Sequence, residues 1–159
     1  MNVALTSPGS SPSPQVATGS FRPGDVSTAF QGFGNPIAPK IVERVRSFDD
    51  PGTSRMDFTL LGKPHMVGLV DGGKVKLLHD MDFAEGANYL RHNAYCPEFQ
   101  IWIDANLAPC QRKYKAFHEI MEVLYLLTRP GLGYEEAHQL ALAQERIFRS
   151  MDAGLSPSP

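Results

Sequence analysis

The last third of the chain reads as two helical segments divided at Arg129-Pro130-Gly131, and that break limits the possible folds more than any other stretch. Pro109 suits a first helical turn, and from Pro109 to Leu127 the residues Phe117, Ile120, Leu124 and Leu127 return on one broad apolar arc. Pro130 ends this run, because proline lacks the N–H a helix needs and its ring clashes with the preceding turn. A second helix is expected from about Tyr134 to Met151. It turns Leu140, Ile147 and Phe148 inward and carries Glu135 and Glu136 in its first turn, where the helix dipole favours acids.

Upstream, the apolar runs are shorter. Met56 to Leu61, Met66 to Val70 and Val75 to Leu78 are rich in Val, Leu and Phe, and they are separated by Gly62-Lys63-Pro64 and Asp71-Gly72-Gly73. The Asp-Gly pair reads as a hairpin turn, so three antiparallel strands are expected. A loop carrying Gly86, Asn88 and Pro97 leads to Phe99-Gln100-Ile101-Trp102-Ile103-Asp104, an alternating fourth strand placed at the sheet edge and ended by Asp104-Ala105-Asn106. Strands before helices imply an α+β fold: a small antiparallel sheet followed by two C-terminal helices. No internal repeat is present.

The ends differ in composition. Residues 1–40 are Ser/Pro/Gly-rich with scattered apolar positions, as in SPGSSPSP and GFGNPIAPK, and cannot repay the entropy of folding. This predicts a disordered tail over 1–40, one domain over 41–153 and a second disordered end over 154–159. A net charge of -2 provides no global field for nucleic acid or an anionic membrane, so neither is an expected partner. The first residues lack the pattern of a secretory signal, and no run approaches the ~18 apolar residues of a membrane span. A cytoplasmic protein is expected, and Cys96 and Cys110, outside any CxxC arrangement, are expected as free thiols.

Chemistry concentrates on the two helices. Residues four apart share a helix face, so His118 and Glu122 project side by side, with Glu119 about 100° round from His118. In the HExxH helix of zinc peptidases the first and last residues ligate the ion, and the Glu beside the first His is the general base. Here the segment is His118-Glu119-Ile120-Met121-Glu122, with a carboxylate replacing the second His; carboxylate oxygen is an acceptable zinc ligand. On the second helix His138 and Glu145 lie seven apart on one stripe, and Ala137 and Ala141 allow the helices to approach closely. His118, His138 and one carboxylate, Glu122 or Glu145, would complete a three-ligand zinc site with one open position. Glu119 would then serve as base, Tyr125 or Tyr134 as donor to an oxyanion, and Arg149 as a partner of Glu145 or of a substrate carboxylate. The competing reading is a buried His/Glu/Arg network that pins the helices together without metal. His65, His79 and His92 read as strand and loop residues rather than ligands.

The stretch Phe83 to Arg149 also resembles a group of small zincin-like proteins of bacterial, phage and plasmid genomes. Their pattern is a strand ending in EIWID, a HExxE helix, a Gly-containing break and YxxAHxxAxxxExxxR. The matching residues here are Ile101-Trp102-Ile103-Asp104, His118-Glu119-Ile120-Met121-Glu122, Gly131 and Gly133, then Tyr134, Ala137, His138, Ala141, Glu145 and Arg149. The loop Asp82 to Asn88 is similar too, while Gln100 stands where the pattern has Glu. The resemblance implies a zincin-like core, a zinc ion and peptidase activity on a peptide or protein substrate. Such a substrate would add as a strand beside Phe99 to Ile103. Two other functions are compatible with the residues: a non-catalytic interaction protein that keeps the helical core, and an enzyme that processes its own N-terminal tail.

Overall fold

The computed structural model describes residues 37–155; the tail expected over 1–40 lies almost wholly outside them, as do residues 156–159. The elements run α1 (Ala38–Arg46), a 3-10 turn (Ser47–Asp49), β1 (Arg55–Leu60), β2 (Lys63–Val70), α2 (Gly72–Leu78), β3 (Gly86–Asn88), β4 (Gln100–Asp104), α3 (Pro109–Thr128) and α4 (Tyr134–Leu155). The fold is α+β, and the last two helices are those the periodicity predicts. None of the described helices is long and apolar enough to cross a membrane.

Several expectations need correction. The domain begins earlier than residue 41, because Ala38, Ile41, Val42 and Val45 form the buried stripe of α1. Val75 to Leu78 is helix rather than strand. Asp71 accepts a hydrogen bond from Lys74 N at 3.2 Å and so acts as the N-cap of α2 instead of a hairpin corner. Gly72 N also donates to Asp104 Oδ1 at 3.2 Å, and a Cβ at Gly72 would stand 2.3 Å from Asp104 Oδ2, so a side chain there would displace the Asp104 carboxylate. At the other end, α4 runs through Gly154 to Leu155, past the expected stop.

The sheet is mixed, not antiparallel. Its order is β1-β2-β4-β3, with β1 and β2 joined as a hairpin through Leu61 and Gly62, both at positive φ. β2 and β4 pair in parallel from Met66↔Gln100 to Val70↔Asp104, the intervening chain supplying the crossover, and β3 closes antiparallel on the far side of β4. β4 is therefore an interior strand with both edges paired. It cannot accept a peptide by strand addition, and that expectation falls with the edge assignment.

α3 packs against α4, α1, the 3-10 turn, β3 and β4. All ten residues from Ala116 to Tyr125 are buried, and enclosure on every side is what places charged groups of this helix in the interior. Leu127, expected on the apolar arc, lies beyond this stretch and is exposed. Phe148 of α4 meets Tyr114 and Phe117 edge-on at 5.0 and 5.2 Å between ring centroids.

A polar knot ties α1 to the two long helices. Asp152 receives Arg46 Nη2 at 3.1 Å, Tyr114 Oη at 3.0 Å and Lys113 Nζ at 2.9 Å, and Lys113 also reaches Asp49 at 3.0 Å. Burial pushes the Asp152 carboxyl up, but the bonds from Lys113 and Tyr114 outweigh it and hold the group below its ordinary value of 3.8. A depressed acid contributes stability above its unfolded pKa and loses it as pH falls through the lower folded value. Asp152→Asn is therefore expected to cost about 1–3 kcal/mol at neutral pH and to reduce the loss of stability on acidification below pH ~5. Urea unfolding across pH 3–7 checks this, and parallel pH profiles for the two proteins would refute it.

Candidate metal centre

Helical spacing sets one side of the site. His118 and Glu122 stand one turn apart on α3, with His118 Nε2 2.8 Å from Glu122 Oε1. α4 supplies His138, whose Nδ1 lies 3.2 Å from His118 Nε2 and 2.5 Å from Glu122 Oε1. The close approach is made possible by Ala137 and Ala141, both fully buried between the helices. The side chains of His118 and Glu122 are only 2% and 1% exposed, whereas that of His138 is 33% exposed, so the group opens on the His138 side. Tyr134 stacks on the His138 ring with centroids 6.0 Å apart, and the Arg91 guanidinium lies 4.7 Å from the Tyr134 centroid.

These three residues form a group that can hold a metal ion, each offering one ligand atom and all within 4.8 Å of one another. The donor set is chemically suitable: two imidazole nitrogens and one carboxylate are among the standard zinc combinations. Bonds of about 2.0–2.1 Å around a tetrahedral ion place ligand atoms roughly 3.3 Å apart. The nitrogen pair already has this spacing, and the carboxylate oxygen would draw back slightly from both rings.

Glu145 takes a different position. Its Oε2 lies 3.0 Å from His118 Nδ1, the ring nitrogen facing away from the group, though not aligned as a hydrogen bond. Arg149 Nε donates to Glu145 Oε1 at 2.7 Å, and Arg149 Nη1 donates to Gln111 Oε1 at 2.6 Å. Glu145 thus stands as a support behind His118, outside the group of three, and Arg149 is its partner. Carboxylates in that position orient a ligating imidazole and fix its tautomer.

Glu119, on the side of α3 toward β3, is 4% exposed. Lys115 Nζ, one turn earlier, lies 3.2 Å from its Oε1, and Asn88 Nδ2 donates to its Oε2 at 2.9 Å. The same Asn88 nitrogen donates to Glu122 Oε2 at 2.9 Å. Lys115 has a local signal, four residues before Glu119, but Asn88 comes from a strand 31 residues away and has none.

The electrostatics follow from burial and pairing. Burial works against charge on His118, but the Glu122 and Glu145 carboxylates outweigh it and the imidazole is pushed up to about 9. Glu122 is pushed up by burial and pulled further down by its bonds to His118 and His138, ending below its ordinary value. Glu145 is lowered in the same way by His118 and Arg149. Burial also lowers the Lys115 ammonium, while Glu119 raises it to a net increase.

The remaining candidates lie elsewhere. Tyr125 is buried and accepts from Gln144 Nε2. His65 Nε2 is 3.2 Å from Tyr89 Oη, His79 follows the last residue of α2, and His92 Nδ1 is 3.5 Å from Asp80. Both cysteines are free thiols; burial pushes Cys96 up to about 12, which leaves it unreactive at neutral pH. No family model, curated protein or solved structure matches the chain, so the functional reading rests on geometry.

Proposed function

We propose that the chain is a zinc-dependent hydrolase of divergent zincin type acting on peptide bonds. The observation that carries this reading is the convergence of His118 Nε2, His138 Nδ1 and Glu122 Oε1 beside a second buried acid, Glu119, on the same helix. His118, Glu122 and His138 would hold the ion, and Glu145 would support His118 from behind. Zinc, when bound, supplies Lewis acidity, making water a better nucleophile and polarising a carbonyl oxygen.

The chain's own groups do the rest. Glu119 removes a proton from the attacking water as the new C–O bond forms, then delivers it to the amine nitrogen as the C–N bond breaks. Lys115 and Asn88 hold the Glu119 carboxylate in place for both transfers. Tyr134 stacks on the His138 ring, and burial raises its phenol above the ordinary value, so it stays protonated and donates to the developing oxyanion. Among the described strands, the sheet edge beside Glu119 belongs to β3, where an extended substrate would have backbone groups to pair with.

A second reading has its own observation. Three buried acids, Glu119, Glu122 and Glu145, face three cations, Lys115, Arg149 and protonated His118, so the cluster balances without an ion and can serve as a structural pin in an interaction protein. Metal analysis separates the two. Purified protein is expected to carry one equivalent of zinc, lost in both His118→Ala and His138→Ala. Near-zero metal in all three proteins would remove the hydrolase reading.

A further inference from the structure

Asn88 is fully buried, and each polar atom of its side chain has a partner. Nδ2 gives one hydrogen bond to Glu119 Oε2 and one to Glu122 Oε2, each 2.9 Å, while Oδ1 accepts from Arg91 N at 3.2 Å. The backbone is equally anchored: Asn88 pairs with Ile101 of β4, and its carbonyl accepts from His92 N at 2.9 Å. On the basis of the hydrolase reading, we propose that Asn88 is a positioning residue that fixes the spacing between the proposed base, Glu119, and the proposed ligand, Glu122.

The chemistry favours an amide here. Two carboxylates three residues apart on a buried helix face repel each other, and each needs donors to replace water. A lysine between them would satisfy both, but its positive charge would oppose a divalent cation. The asparagine NH2 group has two N–H bonds and no net charge, so it satisfies one oxygen of each acid and leaves their negative potential intact. Glu122 keeps Oε1 for the metal group, and Glu119 keeps Oε1 on Lys115.

β3 is built to bring that amide in. Alternate residues of a strand share a face, so Gly86 lies on the side of β3 that carries Asn88. A Cβ at Gly86 would stand 2.8 Å from Glu119 Oε1 and 3.0 Å from Lys115 Cε. The missing side chain lets the strand approach α3 closely enough for Asn88 to reach both acids. Ala87, facing the other way, packs with Val75 and Phe83.

Cobalt titration of the metal-free protein tests the assignment, because the d–d absorption of Co2+ reports the ligand arrangement and competition with a chelator gives affinity. Asn88→Ala is expected to bind Co2+ about 10- to 100-fold more weakly than wild type, with a shifted absorption band. Asn88→Ser, which keeps one donor, should fall between them and serves if the alanine variant does not fold. Leu60→Ala, a core truncation on β1 at the opposite edge of the sheet from β3, should lower the melting temperature and leave band and affinity alone. Wild-type affinity and spectrum in the Asn88 variants would overturn this proposal while leaving the metal centre standing. If wild type itself takes up neither cobalt nor zinc, both fall, and that result is seen before any variant is made.

Discussion

Glu119→Gln is expected to retain one equivalent of zinc and to lose about 10²–10⁴-fold of its rate of peptide cleavage. The substitution keeps the size of the side chain and an oxygen that can still accept from Asn88 Nδ2. It removes the ability to take a proton from water. Lys115 loses its carboxylate partner, but its side chain is 17% exposed and can turn toward solvent, so the helix is expected to remain folded. The check is cleavage of a peptide library with metal content measured on the same sample. Undiminished turnover would strip Glu119 of its role as base, and loss of the metal along with the activity would make it a structural residue.

The metal-free protein is expected to weaken as the solution becomes alkaline. His118 has a folded pKa of about 9 against an ordinary value of 6.5, because two buried acids, Glu122 and Glu145, flank its ring. A raised histidine contributes its stability in full below the unfolded value and loses it as pH rises through the folded one. The contribution is on the order of 3 kcal/mol, fully present below pH 6.5 and gone above about 9. His118→Ala leaves both acids without this cation. Removing one partner of a buried charge pair costs roughly 3–5 kcal/mol. Urea unfolding of chelator-treated protein at pH 6 and pH 10 should therefore give a large difference for wild type and a small one for His118→Ala. The same alkaline loss in both would mean that His118 is not the group responsible. Zinc should reverse the trend, since the ion needs the lone pair that the proton occupies and its uptake releases that proton.

The long helices were legible because their apolar residues recur with the helical period, and the short break at Arg129-Pro130-Gly131 leaves little choice of partner. α1 carries an equally clear stripe at Ala38, Ile41, Val42 and Val45, but it abuts the Pro/Ser/Gly-rich tail, and composition obscured the boundary. At Asp71-Gly72-Gly73 the local pattern does not discriminate, since an Asp-Gly pair suits a hairpin corner and a helix N-cap alike. The close approach of Gly72 to Asp104, 32 residues on, has no local trace. The parallel pairing of β2 with β4 is likewise non-local, which is why β4 read as an edge strand. Within the site, the i, i+4 spacing of His118 and Glu122 was readable, as was the shared stripe of His138 and Glu145. Which nitrogen of His118 each acid faces depends on side-chain rotation and helix docking, and pattern alone carries neither.

The enclosure of α3 also governs traffic to its charged groups. His118 and Glu122 sit mid-helix within the stretch Ala116 to Tyr125, away from ends that fray, so breathing of the backbone provides no doorway. His138 is the one member of the trio that touches solvent. A cation arriving from solvent would therefore meet the His138 ring before the two buried ligands, so access to the group depends on that one side chain.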